Sequence, residues 1–111
     1  ADLIFGSDDA DTLGGGDGAD ILVGYGGNDS LTGGADGDAF VFAAGSGDDV
    51  IEDFAVGSDG LVLQGVSIAT TAEVDTDAVA GNDATLVTLS SGDTVLLRGV
   101  VGVTDPNDLL A

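Results

Sequence analysis

Aspartates recur along the first half of this sequence at a fixed step. Asp11, Asp20, Asp29 and Asp38 stand nine residues apart, and Asp2 precedes them by the same interval. Aligned on that step, residues 6–14 (GSDDADTLG), 15–23 (GGDGADILV), 24–32 (GYGGNDSLT) and 33–41 (GGADGDAFV) each begin with glycine: Gly6, Gly15, Gly24 and Gly33. Two places after each aspartate comes an apolar residue, Ile4, Leu13, Leu22, Leu31 or Phe40. Residues 1–5 are the tail of such a unit, and 44–52 (AGSGDDVIE) is one more, displaced by two inserted residues, with Asp49 and Ile51 in register. Carboxylates beside glycine-exposed carbonyls are the donor set of a hard-cation site. The chain has no histidine and no cysteine, which removes the nitrogen and thiolate ligands of zinc, copper and iron, and with histidine the usual general base. Among hard cations, calcium accepts about six to eight oxygens in irregular geometry and so suits flexible turns. Magnesium demands a tight octahedron and keeps its water.

Each unit offers about six residues of turn chemistry and then about three able to form a short strand. A solenoid whose full coil takes two units stacks such strands in parallel into two sheets. The apolar column then points between the sheets, and the turns line both edges. Aspartates eighteen residues apart lie on one edge, roughly 4.8 Å from each other, and carboxylates so close stay ionised together only with a cation between them. A flexible acidic linker gives no reason to place a buried-type residue at every ninth position. Hairpins want strands of about five to six residues, longer than these apolar stretches.

The pattern GGxGxDxUx, with U aliphatic, is matched at every specified place by residues 15–23 (GGDGADILV). It resembles the nonapeptide repeat of the RTX (repeats-in-toxin) hemolysin-type calcium-binding family. That resemblance implies an all-β fold, a right-handed parallel β-roll stacked on several Ca2+ ions, with a C-terminal capping β region. Each ion would sit between turns two units apart, held by the carboxylates of both and by main-chain carbonyls. Carried over residue by residue, one site combines Ser7, Asp9 and Asp11 with Gly24, Gly26 and Asp29. A second joins Gly16, Gly18 and Asp20 to Gly33, Ala35 and Asp38, in a turn that also contains Gly34 and Asp36. A third joins Tyr25, Gly27 and Asp29 to Ala44, Ser46 and Asp49, and a fourth pairs Asp2 with Gly15, Asp17 and Asp20. Asp8, Asp9, Asp17 and Asp36 fill places commonly held by smaller residues; their side chains read as solvated charge, with their carbonyls left to coordinate. Tyr25 replaces a glycine and covers the edge. Asp53 and Asp59 either add a further calcium contact or close Asp-turns at the ends of a strand.

Residues 1–53 are thus expected to form the roll and 54–111 its capping strands, in one structural unit. Residues 53–63 (DFAVGSDGLVL) resemble the segment that follows the repeats in the same family. Residues 61–66 alternate as a strand, 70–83 read as a loop, and 85–89 with 94–100 flank 90–93 as a hairpin packed over the open end of the roll. Asp105, Pro106 and Asp108 are expected to start a helical turn ending at Leu109 and Leu110.

Twenty-one acidic residues against one basic residue, Arg98, give a formal charge of -20. Nucleic acid and anionic surfaces are repelled, and no apolar run approaches the roughly 18 residues of a membrane span. No basic, apolar leader opens the sequence, and residues 94–111 resemble the termini addressed to type I export machinery. The expectation is a secreted, extracellular calcium-binding module that drives folding and type I secretion of a larger protein, with calcium and the exporter as partners. The alternative is an accessory module that binds a polysaccharide or a cell surface. No active site is expected in this segment: the aspartates serve as ligands, no histidine or lysine offers a base, and no tryptophan is present to stack on sugar. Column seven, Leu3, Thr12, Ile21, Ser30 and Ala39, lacks the flat Thr/Asn ladder of an ice-binding face.

Overall fold

The computed structural model describes residues 3–74, 84–100 and 109–110. Short strands alternate with turns: β1 (Leu3–Phe5), β2 (Thr12–Gly14), β3 (Ile21–Val23), β4 (Ser30–Thr32), β5 (Ala39–Ala43), β6 (Asp48–Ile51) and β7 (Gly60–Gln64). Three longer strands follow, β8 (Ile68–Val74), β9 (Ala84–Leu89) and β10 (Thr94–Arg98). The odd strands form one sheet in the order β1-β3-β5-β7, and the even ones begin the other, β2-β4-β6-β10-β9-β8. Within the repeats all pairing is parallel. Ile4 aligns with Leu22 and Leu22 with Phe40 in one sheet, and Leu13 with Leu31 in the other, so a full coil takes eighteen residues. This is a parallel β-roll.

The apolar column lies between the two sheets, where Leu22, Leu31, Phe40, Ile51 and Leu61 are fully or almost fully buried. A three-residue strand can bury only its middle side chain, because successive side chains point to opposite faces. The two-residue insertion is absorbed by a strand. β5 has five residues where β1 and β3 have three, and the extra length adds buried Phe42 to the core. The turn that follows therefore stacks normally on the one a coil earlier. Gly47 lies against the carbonyl of Gly27, in a left-handed conformation (φ 82°) where a Cβ would overlap it.

The hairpin of β9 and β10 forms as expected, but it joins the roll edge-on. β10 pairs in parallel with β6, aligning Val95 with Asp49 and Leu97 with Ile51, and antiparallel with β9. The even sheet thereby gains the strand that a further coil would have supplied, and its edge is covered. Thr85 Oγ1 donates to the Val100 carbonyl (2.6 Å), and Val87, Leu89, Val95, Leu97 and Leu109 extend the core. The expected loop at 70–83 is corrected in its first part, since Thr70 to Val74 belong to β8, paired with β9. Poor bulky content did not prevent this, because the ladder bonds to β9 come from the backbone; residues 75–83 lie outside those described. The helical turn expected at 105–108 also lies outside them, while Leu110 forms a parallel bridge to Leu61.

Candidate metal centre

The turns place the repeating aspartates in two columns, Asp11, Asp29 and Asp49 on one edge and Asp20, Asp38 and Asp59 on the other. Each rung is made the same way: the backbone N–H of one aspartate donates to the Oδ1 of the aspartate one coil later. The distances are 2.8 Å for Asp11 to Asp29, 2.9 Å for Asp20 to Asp38, 2.8 Å for Asp29 to Asp49 and 2.8 Å for Asp38 to Asp59. From Asp20 to Asp59 these side chains are at most 6% exposed, a burial that lone carboxylates almost never show.

Only one oxygen of each carboxylate is used by the ladder. The Oδ2 atoms of Asp29, Asp38 and Asp49 are buried with no hydrogen-bond partner. Buried polar atoms are nearly always partnered, so this row of acceptors is a candidate cation site. At the ends the turn itself supplies the donor. Asp11 Oδ2 accepts from Ser7 N (2.5 Å) and Ser7 Oγ (3.0 Å), and Asp59 Oδ2 accepts from Ala55 N (2.8 Å).

The first-place glycines explain where those oxygens point. A Cβ on Gly15 would lie 2.6 Å from both Asp20 Oδ2 and the Gly33 carbonyl oxygen, and one on Gly6 would lie 2.7 Å from both Asp11 Oδ2 and the Gly24 carbonyl oxygen. On Gly24 or Gly33 it would overlap the Oδ2 of Asp29 or Asp38. At Gly6 and Gly15 the space left by the missing side chain is thus a cradle where a carboxylate oxygen of one coil meets a carbonyl oxygen of the next. A hard cation fits this donor set. Among the described residues no three acidic side chains converge on one point, so an ion here would take carboxylates in pairs and complete its shell with carbonyls.

The first expected site is brought together in Asp11, Asp29 and the Gly24 carbonyl, and the second in Asp20, Asp38 and the Gly33 carbonyl. For the third, Asp29 and Asp49 share a rung, Gly27 stacks on Gly47, and the buried Ser46 hydroxyl has no hydrogen-bond partner. The fourth cannot be assembled, because Asp2 lies outside the described residues. Asp8, Asp9 and Asp17 are exposed. Asp36, in a left-handed turn (φ 68°), reaches back to accept from Gly18 N at 3.1 Å. Asp53 is a clamp: its carboxylate accepts from Gly33 N (2.9 Å) and Gly34 N (2.8 Å).

Burial dominates the titration of Asp29, Asp38 and Asp49. It pushes Asp49 up to about 7, against the opposing pull of the Asp29 N–H, with the charges of Asp29, Asp93 and Asp48 adding to the rise. Asp29 and Asp38 are raised for the same leading reason. The buried carboxylates must therefore hold a proton or face a cation.

Asp93 escaped the sequence reading. It sits in the β9–β10 turn and accepts from Ser91 Oγ (2.7 Å), Gly45 N (2.8 Å) and Gly47 N (3.2 Å). The Ser91 hydroxyl first, and those N–H groups after it, hold its carboxyl below the usual range. It does for the coil at 45–47 what Asp53 does for the coil at 33–34. A serine two places before it signals a local turn, but nothing in the sequence ties that turn to glycines 46 and 48 residues earlier.

No family model matches the chain, and no curated protein does. Among solved structures it is similar to the extracellular lipase LipA from Serratia marcescens, at 27% identity with a TM-score of 0.60. The similarity covers 95% of this chain but 20% of the lipase, so the chain spans about a fifth of that protein's length.

Proposed function

We propose that this chain is a calcium-dependent folding module of a larger exported protein, a roll that assembles only where calcium is plentiful. The observation that carries this reading is the row of buried aspartate oxygens without a hydrogen-bond partner, Oδ2 of Asp29, Asp38 and Asp49, together with the cradles at Gly6 and Gly15 where a carboxylate oxygen of one coil meets a carbonyl oxygen of the next. Bound calcium would supply the positive charge and the multiple oxygen coordination those atoms lack. Asp11, Asp29 and Asp49 on one edge, and Asp20 and Asp38 on the other, would hold the ions, with the carbonyls of Gly24 and Gly33 among the remaining ligands.

The chain's own residues do the rest. Without the cation, twenty-one acidic groups repel, and a core of short strands buries too little apolar surface to offset chain entropy. The polypeptide then stays open in calcium-poor cytosol, in a form able to thread an exporter. Outside, calcium near the 10⁻⁴–10⁻³ M range of extracellular sites binds the folded form alone and stabilises it in proportion to RT ln(1 + [L]/Kd) per independent site. The ladder, the likeness to an extracellular enzyme of which this module would be a fifth, and a net charge ill-suited to nucleic acid support this reading. Any catalytic centre would lie in other parts of the polypeptide. Far-UV circular dichroism during a calcium titration at low salt tests it: a coil spectrum in chelator should convert cooperatively to β-structure, and full β-structure persisting in chelator would refute it.

A further inference from the structure

On one edge of the roll the third turn place is filled in turn by Asp8, Gly26 and Ser46, and the second by Ser7, Tyr25 and Gly45. The glycines leave a gap. A cavity of about 260 Å³ opens there, lined by Tyr25, Val41, Phe42 and Ala43, with Asp8, Ser46 and Gln64 among its polar residues. Tyr25 is half exposed and occupies a left-handed conformation (φ 64°) that side chains rarely adopt. One face of its ring stacks on Phe5, with centroids 5.7 Å apart and planes 21° apart. On the next coil the same place is Gly45, with open space where a Cβ would be, so no side chain at that place covers the ring.

We propose that this cavity binds a single pyranose sugar carrying no acidic group. An aromatic face backed by a second ring, beside the apolar residues Val41, Phe42 and Ala43, suits the C–H face of a sugar ring. Asp8, an acceptor, and Gln64, both donor and acceptor, suit its hydroxyls. The chemistry excludes other occupants. The lining holds no cationic side chain, its one charged side chain is that of Asp8, and the chain's sole arginine is paired with Glu52 at 2.8 Å, so an anionic ligand would be repelled by the side chains it met. A long alkyl chain would leave the polar groups unpaired. The site is built from turns of the roll and so rests on the proposed calcium-dependent folding; Tyr25, Asp8 and Gln64 are not carboxylates of the ladder, although Tyr25, Ala44 and Ser46 also belong to the third expected calcium site.

The test is nuclear magnetic resonance on calcium-saturated protein, whose folding is confirmed by circular dichroism in the same samples. The probes are methyl glycosides of glucose, galactose, mannose and N-acetylglucosamine, with methyl glucuronide as the acidic control. At least one neutral glycoside should show saturation transfer to its ring protons and shift the amides of residues 23–26, 41–46 and 64. Tyr25→Gly restores the residue type of the repeat and relieves the backbone, so it should fold at least as well while weakening that binding about tenfold or more. Absence of shifts with every neutral glycoside, equal binding by Tyr25→Gly, or preference for the glucuronide would overturn the proposal. Failure to fold in calcium would be seen in the circular dichroism and would count against the folding reading instead.

Discussion

Two kinds of aspartate share this sequence, and their second oxygen separates them. Asp49 ends in a buried, unpartnered Oδ2, whereas Asp17 is exposed. Asp49→Asn should therefore raise the calcium concentration at half-folding about tenfold or more, and Asp17→Asn should leave it within about twofold, both read by calorimetric titration. Equal effects would mean that the ladder is not the binding element. Protons should mimic part of the metal's effect. Asp49 titrates near 7 in the folded chain, against about 3.9 when unfolded, so the folded form binds its proton more tightly. That contribution favours the fold fully below about pH 4 and is lost as pH rises through 7; Asp29 and Asp38 shift in the same direction. Metal-free protein should gain β-ellipticity as the pH is lowered from 8 towards 5. An unchanged spectrum over that range would contradict the assigned titration.

At the level of elements, the period of nine carried most of the architecture. Each Asp-x-apolar triplet became a turn end and a strand, and the eighteen-residue coil follows from two such units. The strand pairing of the hairpin was legible as far as its own turn. Its docking was not, because β10 aligns with β6 through backbone bonds that leave no periodic mark, and Val95 simply takes the column place where an aspartate would stand. β8 was hidden for a related reason, since Thr70 and Thr71 extend a ladder without adding a core residue. Asp93 makes this cap testable. Asp93→Ala removes two charge-assisted bonds to Gly45 and Gly47 and should cost about 1–3 kcal/mol in denaturant unfolding at saturating calcium. Phe40→Ala, which empties a fully buried site beside Phe54, should cost about 3–5 kcal/mol. A hairpin that merely decorates the roll would leave the Asp93 variant as stable as the parent.

The whole molecule is a balance between a charge of -20 and whatever neutralises it inside. Its Cα radius of gyration is 12.8 Å, and a disordered chain of this length would reach about 34 Å. Small-angle scattering should follow that expansion when calcium is chelated, most fully at low ionic strength, where the carboxylates are least screened. The most direct measurement is an anomalous-difference map from crystals grown with calcium, collected at a wavelength where calcium scatters anomalously. Peaks should stand between Asp29 and Asp49 and between Asp20 and Asp38, about 2.3–2.6 Å from their carboxylate oxygens. Well-ordered aspartates with water or nothing between the coils, in crystals saturated with the ion, would contradict the account.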